Sequence, residues 1–172
     1  TPQKKTKTKK IKTKPLFINA IISTIYVVLT LSLAFISYGA VQFRVAEMLN
    51  YLVVFNKKYI PGIVGGVVIS NLWSPMIQYD MIFGVGQSLL SLIIAALIIK
   101  NMKNIWLKMT IVLIIFGLSS ALIAWELLLA FDLPFWAGYV SVAVGEVTVL
   151  LIGMPIMVAL DKKIHFSERI EG

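Results

Sequence analysis

Residues 109–131, MTIVLIIFGLSSALIAWELLLAF, decide the fold class because they carry one ionisable residue, Glu126, in 23 positions. A helix of about 20 apolar residues spans the hydrocarbon core of a bilayer, which is about 30 Å thick. A run this long and this apolar therefore predicts a membrane-spanning helix with a carboxyl group near one end.

Further apolar blocks flank this one, and short polar or proline-containing breaks separate them. They predict helices at residues 16–37, 41–55, 60–73, 79–99 and 135–160. The second and third helices are short, so we expect them to tilt or to be shielded by neighbours. Composition agrees, since 14% of the residues are charged, against roughly a quarter in soluble domains. The sequence thus predicts an all-α integral membrane protein, a bundle of six transmembrane helices.

The basic residues predict the orientation of this bundle. Six spans place 15 of the 16 lysines and arginines on the side that holds both chain ends, and Arg44 is the exception. Basic loops face the cytoplasm, so we expect cytoplasmic N- and C-termini. The expected organisation is a basic tail at 1–14, a membrane domain at 15–162 and a cytoplasmic tail at 163–172. Lysines grouped at helix ends suit anionic lipid headgroups, so the net charge of +8 does not indicate nucleic-acid binding.

The residues that several kinds of chemistry require are absent from the sequence. The chain has no cysteine and one histidine, His165, in the polar C-terminal tail. Thiolate chemistry is excluded, and a histidine-based metal site is not expected. The sequence contains no P-loop, no G-x-S-x-G elbow and no H-E-x-x-H pair. We therefore expect neither an enzyme nor a cofactor bound by this chain.

Ionisable residues within the spans are the candidate functional groups, because they are costly in a membrane and face the protein interior or a watery cavity. Glu47, Asp80, Glu126 and Glu146 lie in the outer half of four helices, and with Arg44 they sum to a formal charge of −3. Arg44 and Glu47 are three residues apart on one helix face, so they can pair. The other carboxylates lack a protein cation, and a cationic or donor-rich solute would satisfy them unless they are protonated.

Polar and aromatic neighbours extend this predicted site. Gln87 continues the face of Asp80, and Tyr139 shares the face of Glu146. Tryptophans near the outer ends offer flat surfaces to a ring or a cation. The full set of predicted substrate-binding residues is Gln42, Arg44, Glu47, Asn50, Asn71, Trp73, Asp80, Gln87, Trp125, Glu126, Tyr139 and Glu146.

Structural explanations stay open for several of these residues. Arg44 and Glu47 can be a pair that serves folding alone. The tryptophans can be residues of the interfacial belt. Asp80 can cap the fourth helix. Glu146 is the hardest to explain in this way, because no lysine or arginine lies near it in the sequence.

Residues 38–72, YGAVQFRVAEMLNYLVVFNKKYIPGIVGGVVISNL, resemble the QueT family of substrate-binding S components of energy-coupling factor (ECF) transporters. The pieces that carry the resemblance are Q-F-R-x-x-E at 42–47, Y-I-P-G at 59–62, S-N-L at 70–72 with Ser74 and Pro75, and D-M-I-F-G at 80–84. The resemblance implies a compact six-helix bundle in the plasma membrane of a prokaryote, with a solute site near the outer surface.

The same resemblance implies a function. S components bind a solute, dock on a coupling transmembrane subunit and rely on two ATPase subunits to use ATP. The implied solute is the queuosine precursor 7-aminomethyl-7-deazaguanine. Its aminomethyl cation suits a carboxylate, its guanine-like edge offers N–H donors, and its ring carbonyl needs a donor. Docking in related proteins uses small residues on the first helix, for which Ala20 and Thr24 are the nearest match.

Other functions stay open at this point. The chain can be an S component for another small vitamin, which a panel of ligands would reveal. It can also be a non-transporting membrane scaffold or sensor whose acids serve helix packing alone. In that case no solute binds, yet loss of Glu47 or Glu146 unfolds the bundle.

Overall fold

The computed structural model describes residues 13–37 and 44–171, and this part of the chain contains helices and no strand. The predicted all-α class is confirmed there. The helices are α1, Thr13–Ser32; α2, Val45–Phe55; α3, Ile60–Asn71; α4, Ile77–Ile99; α5, Ile105–Phe131; α6, Phe135–Ile164; and the short α7, Phe166–Arg169. A turn of helix, Ala34–Ser37, follows α1.

Four of these helices are long and apolar enough to cross a bilayer. They are α1, α4, α5 and α6, with 20, 23, 27 and 30 residues and mean hydropathy between 1.8 and 2.4. α3 has 12 residues and α2 is shorter, so each rises less than about 20 Å. The chain is therefore a multi-pass membrane protein, and the two additional crossings stay a prediction.

α2 lies at the centre of the bundle, which explains how so short a helix is accommodated. Its first part, Val45–Tyr51, is a 3₁₀-helix, and its second part, Leu52–Phe55, is α-helical. Most of its side chains are buried, including polar Glu47 and Asn50. Neighbouring helices thus shield its backbone and its polar groups from lipid, as a short segment at membrane depth requires.

Several helix boundaries differ from the predicted ones. α5 begins four residues before Met109, because the Asn104 side chain accepts hydrogen bonds from the N–H groups of Trp106 and Leu107 and so caps the helix. α6 extends to Ile164, and His165 ends it with a left-handed backbone at φ 57°. Lysines near the start of α5 and the end of α6 led to the prediction of loops there. Their long side chains allow the charged group to reach the polar surface while the helix continues.

α4 also begins early, at Ile77, so Asp80 lies inside the helix. The interpretation of Asp80 as the cap of the fourth helix is therefore wrong. α1 begins at Thr13, three residues before its predicted start. The predicted first residues of the second helix, 41–43, lie outside the described residues.

Glycines on α3 bring α1 close. A Cβ atom at Gly66 would lie 2.5 Å from Cβ of Tyr26, and one at Gly62 would lie 2.6 Å from the side-chain oxygen of Asn19. Only glycine permits this separation. The Ser23 hydroxyl then donates to the Gly62 carbonyl at 2.6 Å, so the two helices are joined by polar as well as apolar contacts.

The lysine-rich end of the bundle holds the start of α1 and α5 and the end of α4 and α6. There α7 folds back against the turn before α3. Tyr59 donates to the Phe166 carbonyl at 2.6 Å, and Lys58 forms an ion pair with Glu171 at 2.5 Å. Burial raises the pKa of Tyr59 to about 12, so its hydroxyl remains a donor at physiological pH.

Candidate functional site

A cavity lies between α2, α4, α5 and α6, in the half of the bundle away from the lysine-rich end. We call it the acidic cavity. Its described lining residues are Arg44, Glu47, Asp80, Gly84, Gln87, Ser88, Ile123, Glu126, Val142 and Glu146. The fold thus brings together six of the twelve predicted site residues, contributed by four separate helices.

The four acids of the cavity are removed from solvent. Glu47, Asp80, Glu126 and Glu146 are between 1% and 9% exposed. Among the described lining residues, Arg44 is the only cation. Its Nε atom donates to the Ser37 carbonyl at 2.9 Å. This hydrogen bond connects the helical turn Ala34–Ser37 to the start of α2. The formal charge around the cavity is therefore negative, and burial in a bilayer makes such an excess costly.

Glu47 has a hydrogen-bond donor on each oxygen. The hydroxyl of Tyr26, on α1, donates to Oε1 at 2.5 Å. The side-chain amide of Asn50 donates to Oε2. Tyr26 is fully buried, so α1 supplies a positioning group although it contributes no described residue to the cavity lining. Sequence reasoning missed Tyr26.

Asp80 begins a π-helical turn, Asp80–Gly84, within α4. Such a turn widens the helix and interrupts the regular pairing of its backbone. The side-chain amide of Asn71 donates to the Asp80 carbonyl at 2.9 Å, and the Ser74 hydroxyl donates to the Asp80 carboxylate. A Cβ atom at Gly84 would lie 3.0 Å from the Asn71 amide nitrogen, so glycine permits this support.

The other two acids have buried oxygen atoms that accept no hydrogen bond. Both carboxyl oxygens of Glu126 and Oε1 of Glu146 are buried without a hydrogen-bond partner among the described residues. The carboxyl group of Glu126 interacts electrostatically with that of Asp80, and the carboxyl group of Glu146 interacts with that of Glu47. The cavity therefore presents two carboxyl pairs, and each pair contains oxygen atoms that a bound donor can satisfy.

Two of the predicted polar residues support the cavity without lining it. Asn50 and Asn71 support Glu47 and Asp80 by the hydrogen bonds described above and do not line the cavity. Gln42 lies outside the described residues. Gln87 does line the cavity, and its Nε2 atom donates to Ser119 Oγ at 3.1 Å.

The predicted aromatic residues do not meet the acidic cavity. Trp73 and Trp125 are 60% and 50% exposed. Trp125 packs edge to face against Phe83, with ring centroids 5.5 Å apart. Tyr139 donates to the Gly117 carbonyl at 3.2 Å and borders a different groove, on the outer face of α6. The apolar walls of the cavity are instead the aliphatic side chains of Ile123 and Val142.

The acidic cavity is narrow. About 20 Å³ is available to the centre of a water-sized sphere, which is room for about one water molecule. A solute the size of a purine therefore needs its lining side chains to move apart. Among the described residues, no group of three or more His, Asp or Glu side chains has the spacing of a metal site.

The two small residues predicted for docking lie on the exposed face of α1. Ala20 and Thr24 border a groove whose wall includes Ile69 of α3. The Thr24 hydroxyl is satisfied within its own helix, because it donates to the Ala20 carbonyl at 2.8 Å. The face that these residues share is therefore apolar in character.

Replacing Tyr26 by Phe tests the link between α1 and the cavity. The change leaves Glu47 Oε1 without its donor, so we expect a loss of about 1–2 kcal/mol in stability and weaker binding of the cavity's ligand. Tyr59→Phe is the matched control, since it removes a buried hydroxyl donor at the lysine-rich end. The unfolding temperature should fall in both variants, and the affinity for the ligand should fall only in Tyr26→Phe. Equal ligand affinity in the two variants would contradict the link.

Apolar helices of spanning length around a buried acidic cavity define a multi-pass membrane protein with an interior site suited to a small, donor-rich solute. The family model described as "QueT transporter" matches residues 16–162. The chain is also 36% identical over 168 residues to "Queuosine precursor transporter QueT" of Lactococcus lactis subsp. cremoris (strain MG1363), an alignment that covers 92% of this chain and 99% of that protein. The chain therefore belongs to the QueT transporter family. No solved structure matches it.

Proposed function

We propose that this chain is the substrate-binding S component of an ECF importer and takes up 7-aminomethyl-7-deazaguanine. The observation that carries the proposal is the set of buried carboxyl oxygens without donors, two on Glu126 and one on Glu146. Buried polar atoms are rarely left unsatisfied. A solute that brings N–H groups and a positive charge into the cavity would satisfy them.

The two carboxyl pairs suit different parts of this solute. Both oxygens of Glu126 are available, so this carboxylate can accept two parallel N–H donors from the guanine-like edge. Glu47 already accepts from Tyr26 and Asn50, which leaves Glu146 beside it to receive the aminomethyl cation. We assign the ring edge to Glu126 and the cation to Glu146.

The remaining lining residues fit the rest of the molecule. Ile123 and Val142 offer aliphatic surfaces to the faces of the ring, and Gly84 leaves space beside it. The ring carbonyl requires a donor, which the side chain of Arg44 or Gln87 can provide. Apolar walls with a few convergent polar groups are the usual form of a small-molecule site.

The proposal includes the arrangement in the cell. We place the protein in a prokaryotic plasma membrane with six crossings and with both termini in the cytoplasm, since the basic residues gather at one end of the bundle. Its partners would be a coupling transmembrane subunit, received on the α1 face that carries Ala20 and Thr24, and two ATPases that use ATP. The chain itself would bind the solute without catalysing a reaction and without a cofactor.

Binding to the purified protein tests the proposed substrate. A ligand that binds the folded form raises its unfolding temperature. We expect 7-aminomethyl-7-deazaguanine to do so at micromolar concentration, with guanine and a panel of vitamins as controls. A shift with one of the vitamins alone would identify another solute for the same architecture. Absence of any shift, together with unfolding of Glu47 and Glu146 variants, would support a scaffold.

Uptake by cells tests the proposed coupling. Cells that lack their own route for the deazapurine should accumulate it when they express this chain with a coupling subunit and two ATPases. An ATPase variant without its P-loop lysine is the control and should abolish accumulation while leaving solute binding to the purified chain intact. Accumulation that continues with the inactive ATPases would contradict the ECF assignment.

A further inference from the structure

A second cavity lies at the lysine-rich end of the bundle, remote from the acidic cavity. We call it the basic cavity. It has a volume of about 300 Å³, and three lysines, Lys57, Lys100 and Lys108, converge on it. They come from three places, namely the turn before α3, the end of α4 and the first turns of α5. The fold therefore assembles this cluster from separate elements.

The described residues that line the basic cavity include no acidic side chain. The chain has eight acids, and four of them line the acidic cavity. Of the three at the lysine-rich end, Glu171 forms an ion pair with Lys58, Asp161 accepts a hydrogen bond from the Phe166 N–H group, and Glu168 is exposed on α7. Internal acids thus leave the three converging lysines largely uncompensated, and an external anion is the natural counter-charge.

The rest of the basic cavity is apolar and adjoins the membrane-facing surface. Phe55, Ala96 and Ile99 contribute to its wall. Directly beside them on α4, Leu97 and Ile98 are 68% and 51% exposed, as expected for residues that face lipid chains. A molecule with an anionic head and an apolar tail would satisfy the lysines and these exposed side chains together.

We propose that the basic cavity binds the phosphate headgroup of an anionic phospholipid from the leaflet at the lysine-rich end. Basic pockets between transmembrane helices are known to receive such headgroups, and each lysine near an anionic surface adds to the attraction. The lipid would bridge the ends of α2, α4 and α5, with its acyl chains against the exposed face of α4. Inorganic phosphate offers the same charge without the chains, so it should bind more weakly.

The test compares lipid retention by purified full-length variants. In native mass spectrometry after mild delipidation, the wild type should retain phosphatidylglycerol in preference to phosphatidylcholine. Lys57→Gln/Lys100→Gln/Lys108→Gln should lower phosphatidylglycerol affinity about tenfold or more. The control, Lys103→Gln/Lys162→Gln/Lys163→Gln, removes the same charge at the same end and should retain wild-type affinity. A Lys→Arg triple at the three cavity positions keeps the charge and should retain lipid binding, which guards against a folding defect in the Gln triple.

Three results would overturn the proposal. The first is an equal loss of lipid in the control, which would indicate general surface charge. The second is full retention of phosphatidylglycerol by the Gln triple at the cavity. The third is equal stabilisation of the wild type by inorganic phosphate and by phosphatidylglycerol vesicles at matched phosphate concentration, which would indicate an anion site with no role for the acyl chains.

Discussion

Glu146→Gln is expected to weaken binding of 7-aminomethyl-7-deazaguanine about 30-fold, which corresponds to about 2 kcal/mol, because a charged group loses a charged partner in a buried site. Binding of the 7-cyano analogue should stay the same or improve. The analogue keeps the guanine-like edge but has no cation for Glu146 to receive. The measurement is a pair of binding isotherms for each protein, and the ratio of the two affinities is the informative quantity.

Glu126→Gln is the matched control, since it makes the same chemical change on the other carboxyl pair. Both ligands present the same two N–H donors to Glu126, so both should bind more weakly by a similar factor. A glutamine amide would also place one donor against the donors of the ring, which adds to the loss. The two variants together form a cycle that separates recognition of the cation from recognition of the ring.

Three outcomes of this comparison would contradict the proposed roles of Glu126 and Glu146. If Glu126→Gln alone removes the preference for the aminomethyl ligand, the two roles are exchanged. If both variants weaken both ligands equally, the division of roles between the pairs is wrong. If neither variant affects binding, the acidic cavity is not the site of this solute.

The sequence allowed the acids of the cavity to be predicted because each lies in a largely apolar run. Glu126 is the one ionisable residue in its block, and such a residue must face protein or water. Pairing Glu126 with Asp80 and Glu146 with Glu47 could not be predicted in the same way. The partners are far apart along the chain, and only the packing of four helices sets their distances.

Tyr26 was missed for a different reason. A tyrosine within an apolar helix does not break the pattern, since its ring is apolar and its hydroxyl is small. Its partner Glu47 is 21 residues away, beyond the range of any local motif. The π-helical turn at Asp80–Gly84 was missed as well, because an apolar periodicity of 3.6 residues does not register one widened turn.

The prediction that the tryptophans belong to the binding site did not take the geometry of a helix into account. Adjacent residues on a helix point about 100° apart. Trp125 precedes Glu126, so a helix that turns Glu126 toward the cavity turns Trp125 away from it. Its 50% exposure is consistent with this geometry.

The predicted start of α5 was also too late. The Asn104 cap is a short-range signal, and the lengths of apolar blocks do not reveal it.

Gly66→Ala is expected to lower both the stability of the bundle and the affinity of the acidic cavity. The new methyl group would lie 2.5 Å from Cβ and 2.8 Å from Cγ of Tyr26. These atoms are at the base of the side chain and cannot move without the helix. Overpacking of this kind costs about 1–3 kcal/mol, and separating α1 from α3 would also lengthen the hydrogen bond from Tyr26 to Glu47.

Gly86→Ala is the matched control for this substitution. A Cβ atom at Gly86 would meet nothing within 4 Å, and alanine favours a helix over glycine by about 1 kcal/mol. The unfolding temperature should therefore be unchanged or slightly higher in Gly86→Ala, and several degrees lower in Gly66→Ala. Equal unfolding temperatures in the two variants would mean that the contact between α1 and α3 is looser than 2.5 Å implies.

A Tyr26→Phe background separates the two effects of Gly66→Ala. Phenylalanine keeps the Cβ atom and the ring, so adding Gly66→Ala should destabilise this background as much as it destabilises the wild type. The hydroxyl donor to Glu47 is already gone, so adding Gly66→Ala should weaken ligand binding no further. If affinity still falls by the same factor, α1 acts on the acidic cavity by a route other than the hydrogen bond between Tyr26 and Glu47.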